Sequence, residues 1–139
     1  MIPLSPLHAD VAAALHARCF TEAWDANSLC RLISMPSAFG FLAESSPHGP
    51  SGFVLCQGAA DVCEVVTLCV LAEHRRRGTA CRLIVEACAA GARAGAEALL
   101  LEVAADNLAA REFYAGMAFM PGGPGTPGVV SGAEPDGHE

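Results

Sequence analysis

Two stretches of the sequence hold side chains able to move a proton or grip an anion. The first is Leu101-Glu102-Val103-Ala104-Ala105-Asp106-Asn107. Glu102 is the only charge in an otherwise apolar strand-like run, and alternation puts it on the same face as Leu100 and Ala104. A carboxylate in that setting is either paired or functional, because burying it unpaired is costly. Tyr114, the sole tyrosine, follows on the next helical segment. There Phe113 and Met117 give it an equally simple role in core filling, and Asn107 by itself reads as a helix cap. The second stretch is Arg75-Arg76-Arg77-Gly78-Thr79-Ala80. It places small residues where a strand turns into a helix and backbone N–H groups point outward together, a geometry that holds phosphate. The plainer reading is three solvated arginines ahead of an ordinary helix.

The elements that must position these residues follow from periodicity. Ser5-Pro6 opens an amphipathic helix over about residues 6–19, with Leu7, Val11, Ala14 and Leu15 at helical spacing after a short lead-in strand. Asp25 caps a shorter helix carrying Leu29, Leu32 and Ile33, which Pro36 stops. Three strands are predicted next, Phe39 to Glu44, Gly52 to Gln57 and Asp61 to Leu71, joined closely enough to form an antiparallel meander. The basic turn then opens a long helix with Leu83, Ile84, Ala87, Cys88 and Gly91 on its buried side. A strand from Ala98 to Ala104 follows, so strand, helix and strand make a parallel β-α-β crossover. A last helix carries Leu108, Phe113 and Met117.

Composition narrows the function classes. The 139 residues suit one domain, and 53% hydrophobic against 17% charged residues permit a sizeable core. From Pro121 to Glu139, six Gly and four Pro among nineteen residues predict a mobile tail, leaving a domain over residues 1–120. A net charge of −7 argues against nucleic acid or anionic membrane as the main partner and suits a basic one. Mean hydropathy is positive, yet the most apolar long stretch, Thr79 to Ala96, is interrupted by Arg82, Glu86 and Arg93. No basic segment precedes an apolar one at the start, so the expected location is the cytoplasm. Seven cysteines are present, with no C-x-x-C pair and no His at a ligand interval from two of them. They read as inert core thiols, and no metal is expected.

Both chemical stretches, in this order and separation, resemble the acetyl-CoA-binding core of the GCN5-related N-acetyltransferase (GNAT) superfamily. Within it the likeness is strongest to the RimI-type ribosomal-protein alanine N-acetyltransferases. That subfamily carries a Leu-Glu-Val strand, an Asn five residues after the Glu and a Tyr twelve after it, intervals matched by Glu102, Asn107 and Tyr114. The stretch Cys19 to Trp24 is similar to the subfamily's Phe-x-x-x-Trp entry. The likeness spans about residues 1–120.

The resemblance implies an α/β (α+β) GNAT fold, a mixed twisted sheet of about five to six strands with helices on both faces. It implies acetyl-CoA as cosubstrate and direct attack by the acceptor amine in a ternary complex. Cys69 and Val70 would offer backbone hydrogen bonds to the pantetheine and acetyl carbonyl. Arg75, Arg76, Arg77, Gly78, Thr79 and Ala80 would cradle the pyrophosphate, and Asn107 would bind the pantetheine arm. Glu102 would take the proton from the attacking ammonium and Tyr114 would protonate the departing thiolate. Glu64 competes for the base role, since other branches of the superfamily place theirs on that strand.

The implied acceptor is a protein N-terminal α-amine, with a ribosomal protein as the candidate, and the molecule is expected as a monomer or weak homodimer. A small-molecule amine and a non-catalytic acyl-CoA-binding role are the alternatives. The superfamily continues past its Gly-Phe into two more strands. Here Gly116-Met117-Ala118-Phe119 and the Gly/Pro segment stand instead, so the C-terminal strands are expected to be truncated.

Overall fold

The computed structural model describes residues 1–45, 49–74, 77–101 and 112. Glu102, Asn107, Tyr114, Arg75, Arg76, the last predicted helix apart from residue 112 and the predicted tail all lie outside them. The described chain forms one sheet with helices on both faces.

Strand β1 (Ile2–Pro3) leads through a 3-10 turn at Pro6–His8 into helix α1 (Ala9–Cys19) and then α2 (Ala26–Ile33). Strands β2 (Ala38–Ser45), β3 (Gly49–Ala59) and β4 (Val62–Val70) follow, then α3 (Thr79–Arg93) and β5 (Ala98–Leu100). The five strands are ordered β1-β2-β3-β4-β5, antiparallel as far as β4, and β5 joins β4 in parallel. The meander and the right-sized crossover therefore form as expected. Strand β3 is longer than the spacing suggested, because its pairing with β2 extends to Ser45↔Gly49 and that with β4 to Ala59↔Val62. The second hairpin turns on Ala60 and Asp61 alone, with Ala60 held at φ 56°.

Two cores lie on opposite faces of the sheet. Beneath α3, Leu83, Ile84 and Ala87 pack on Val54, Cys56, Cys63, Val65 and Leu99. Beneath α1 and α2, Ala12, Leu15, Leu29 and Ile33 pack on Leu42, Phe53, Leu55 and Cys69. Helix α2 starts where the sequence puts it, with the Asp25 carboxylate accepting the Ser28 N–H at 2.8 Å.

The buried face of α1 differs from the predicted one. Ala9, Ala12, Leu15 and His16 are buried, whereas Leu7 is 92% exposed and Ala14 faces solvent. Leu7 sits in the 3-10 turn, whose pitch breaks phase with the following α-helix. The alanines let α1 approach the sheet closely, which leaves room for one large ring, His16, at its centre.

Strand β4 serves both cores and carries a bulge. Leu55 faces Thr67 but Cys56 faces Val65, so Val66 is the extra residue. Before it, Cys63 and Val65 point toward α3; after it, Cys69 points toward α1, and Leu68 and Val70 take over the α3 side. The ladder joining β4 to β5 comprises Val62↔Ala98, Cys63↔Leu99 and Glu64↔Leu100 among the described residues.

Candidate active site

The described part of the candidate anion-holding stretch lies at the corner between β4 and α3. Leu71 leaves the sheet into a 3-10 turn at Ala72–His74, and Gly78 then caps α3 in the left-handed region at φ 78°. Gly78 supplies no side-chain cap, and no acidic residue occupies the first turn. The amides of that turn thus face outward with the positive end of the helix dipole behind them. A Cβ at Gly78 would meet no described atom within 4 Å. Thr79 is buried, Ala80 is half-buried and Arg77 is exposed beside the cap. This cradle of small residues, outward amides and a guanidinium fits a diphosphate. Gly78, Thr79 and Ala80 would hold it through backbone, and Arg77 through charge.

A groove of about 600 Å³ opens beside this corner, between α1 and the end of β4. Leu15 and Arg18 form one wall; Pro50, Leu71, Glu73 and Arg77 form the other. The Arg18 guanidinium bonds the Glu73 carboxylate across it at 2.8 Å. A hydrogen bond from Glu73's own backbone, and then this one from Arg18, hold the Glu73 carboxyl below its ordinary value. The two side chains are 58% and 51% exposed, so solvent screens the pair and the groove can open at little cost.

Cys69 and Val70 close β4 one residue before that corner. The Cys69 thiol donates to the Leu15 carbonyl at 3.2 Å, and the Val70 carbonyl accepts from Cys19 Sγ at 3.6 Å. Glu64 projects, exposed, on the face that carries α1 and α2, across the sheet from Gln57. Gln57 Nε2 in turn contacts Met35 Sδ at 3.2 Å beyond the end of α2. In a parallel pair opposed residues point the same way, so Leu100 shares the face of Glu64, while Leu99 and Leu101 point under α3.

His16 is a residue that periodicity and motif reading passed over. Fully buried, it stacks on Phe20 at 4.4 Å and on Trp24 at 4.8 Å between ring centroids. Its Nδ1 accepts the Trp24 backbone N–H at 3.1 Å, and Nε2 lies 3.4 Å from Thr67 Oγ1, just past the bulge. The acceptor role of Nδ1 puts the proton on Nε2, which then donates to Thr67. The ring therefore ties the α1–α2 loop to the half of β4 that leads to the corner. Its position one turn before Phe20 and two before Trp24 was the available signal.

Three cysteines serve the core beneath α3 or its rim. Burial raises the pKa of the Cys56, Cys63 and Cys88 thiols, which keeps them protonated. Among the described residues no group of three or more His, Cys, Asp and Glu could hold a metal, and no helix is long and apolar enough to cross a membrane.

Comparison with known proteins agrees with this geometry. None of the curated proteins matches the sequence. The ribosomal-protein-S18-alanine N-acetyltransferase from Escherichia coli has the same fold. It superposes with a TM-score of 0.77 at 19% identity over 85% of this chain and 75% of that one. The aminoglycoside antibiotic 6'-N-acetyltransferase AAC(6')-Ih from Acinetobacter baumannii gives 0.74 at 17% identity, over 86% and 88%. AAC(6')-Iy, in complex with a CoA-containing bisubstrate analogue, gives 0.75 at 15% identity, over 85% and 88%. The model of the acetyltransferase (GNAT) family matches residues 10–119. With its mixed sheet, bulged β4 and glycine-capped α3, the chain belongs to the acetyltransferase (GNAT) family and is an acetyl-CoA-dependent N-acetyltransferase.

Proposed function

We propose that the acceptor is the α-amino group of a protein N-terminus, with a basic ribosomal protein as the candidate. What supports this reading is the spacing of Glu102, Asn107 and Tyr114 together with the net charge of −7, while the left-handed Gly78 cap beside Arg77 supports the cosubstrate side of it. Acetyl-CoA supplies the activated acetyl thioester. The chain's own groups do the rest. Gly78, Thr79 and Ala80, with Arg75, Arg76 and Arg77, hold the diphosphate. The backbone of Cys69 and Val70 aligns the pantetheine arm as an added strand along β4, and Asn107 binds the arm as well.

Glu102 takes the proton from the incoming ammonium. In the sequence Glu102 stands two residues beyond Leu100, in step with it by strand alternation. An α-amine, with a pKa of about 7.7–8.0, is roughly a tenth neutral near pH 7, whereas a lysine amine is roughly a thousandth neutral. A single carboxylate base thus suffices for the former, contributing on the order of 10²–10⁴ in rate. Tyr114, protonated at neutral pH, returns a proton to the leaving thiolate. The net charge of −7 favours a basic acceptor chain.

A small-molecule amine is the second reading, favoured by the fold shared with two aminoglycoside acetyltransferases. Thiol release from acetyl-CoA decides between them when an Ala-initiated peptide panel is set against aminoglycosides and polyamines. Faster turnover of a peptide supports the proposal, and turnover of small amines alone overturns it. Glu102→Gln and Tyr114→Phe should each lower kcat at least tenfold with the KM for acetyl-CoA nearly unchanged. Full activity in Glu102→Gln, with loss in Glu64→Gln, would move the base to β4.

A further inference from the structure

Cys19, the last residue of α1, and Cys69, near the end of β4, stand apart from the other thiols. Their sulfurs are 2.7 Å apart although the residues are 50 positions distant in sequence. The Cys69 thiol donates to the Leu15 carbonyl at 3.2 Å. Cys69 is 2% exposed, whereas Cys19 is half-buried and within reach of a small solute. The side chains come from two elements packed face to face, and neither needs to leave its element to meet the other. The remaining gap to a sulfur–sulfur bond of about 2.05 Å is a fraction of an ångström. Both cysteines stand as thiols in this structure.

We infer that Cys19 and Cys69 form a reversible oxidation site, a dithiol that a hydroperoxide converts to a disulfide stapling α1 to β4. The peroxide oxygen adds to Cys19 Sγ, giving a sulfenic acid and one water as the O–O bond breaks. Cys69 Sγ then attacks that sulfur, the S–O bond breaks and the second water leaves with the Cys69 proton. In sum two thiols lose two electrons and two protons, and one hydrogen peroxide becomes two waters. Cys19 lies at the negative end of α1, which disfavours its thiolate, so the bond forms slowly rather than at sensor speed. The staple closes a long loop of the unfolded chain and so stabilises the folded one. The site lies on the α1 side of the sheet, and its readouts do not depend on which amine the enzyme acetylates.

The test uses the full chain, reduced with dithiothreitol or treated with hydrogen peroxide, with monomer isolated on a non-reducing column. Oxidised wild type should lose the mass of two hydrogens and two titratable thiols, and its Tm should rise by about 5–15 °C. Dithiothreitol should reverse all three changes. Cys30→Ser should behave as wild type. Cys19→Ser should show neither the mass loss nor the Tm rise, and being half-buried it avoids the folding risk of a Cys69 variant. A gain of oxygen mass at Cys19 without crosslinking would overturn the inference. So would an unchanged two-hydrogen loss in Cys19→Ser.

Discussion

The ring of His16 lies nearly parallel to the indole of Trp24, at 13° between planes, while its Nδ1 accepts the backbone N–H of the same residue at 3.1 Å. One side chain thus fixes both the ring and the backbone of the loop between α1 and α2. Its other nitrogen reaches Thr67 on β4, so the loop and the strand are held in one frame.

Replacing His16 by alanine removes a buried ring and strands the Trp24 N–H and the Thr67 hydroxyl. A loss of about 2–4 kcal/mol in folding stability is expected. Urea unfolding of wild type and His16→Ala measures it. A change within ±0.5 kcal/mol would mean that the ring bears no weight.

Ala60 gives the opposite prediction. It occupies the left-handed region in the two-residue turn between β3 and β4 and is exposed, so no packing compensates for its Cβ. Ala60→Gly should stabilise the protein by about 0.5–1 kcal/mol, after the larger chain entropy of glycine in the unfolded state is allowed for. A lower midpoint of chemical denaturation for the variant would contradict this account of the turn.

Gly78→Val sets a branched side chain at the cap of α3 and forces it to φ 78°. The KM for acetyl-CoA should rise about tenfold or more, with a Tm lowered by only a few degrees, roughly the strain of one left-handed residue. Unchanged KM would remove the corner from cofactor binding.

The pH dependence of stability should show two exposed carboxylates. A hydrogen bond from the Ser28 backbone holds the Asp25 pKa below its ordinary 3.8, and Glu73 is held below 4.5 by its own backbone and Arg18. Both folded values are depressed. Their stabilisation is therefore fully present above the ordinary values and is lost as pH falls through the lowered ones. Melting curves from pH 6 to about 2 should show Asp25→Ala and wild type converging at the acid end. A gap that stays constant over that range would rule out the titrating cap.

Much of this layout was legible in the residues. β-branched runs with short breaks are specific for a meander, and the shift from that pattern to Gly78-Thr79-Ala80 and a helical period marks the crossover. Other features were hidden for physical reasons. Val65, Val66 and Thr67 are all β-branched, so nothing in their types reveals which one stands outside the ladder. The rotated face of α1 depends on alanines, which fit a close approach or a solvent face equally well. A lone histidine in a helix reads as polar until Phe20 and Trp24 are seen to close around it. Cys19 and Cys69 carry no spacing that could announce a contact, because the fold alone brings them together. Of the catalytic candidates, Glu102 and Tyr114 lie outside the described residues and rest on their intervals.

The extra residue at Val66 works as a phase shifter. One strand speaks to two layers in succession, gripping α3 with odd-numbered side chains first and then turning odd-numbered side chains toward α1. Deleting Val66 would leave each pair from Gly52↔Val70 to Ala59↔Val62 in place as one unbroken ladder, so Thr67 would still face His16 and Cys69 would still face Cys19, and only the local bend of β4 would be lost. What the inserted valine sets is the bend of β4, and with it the direction in which the strand's last residues leave for the turn before α3.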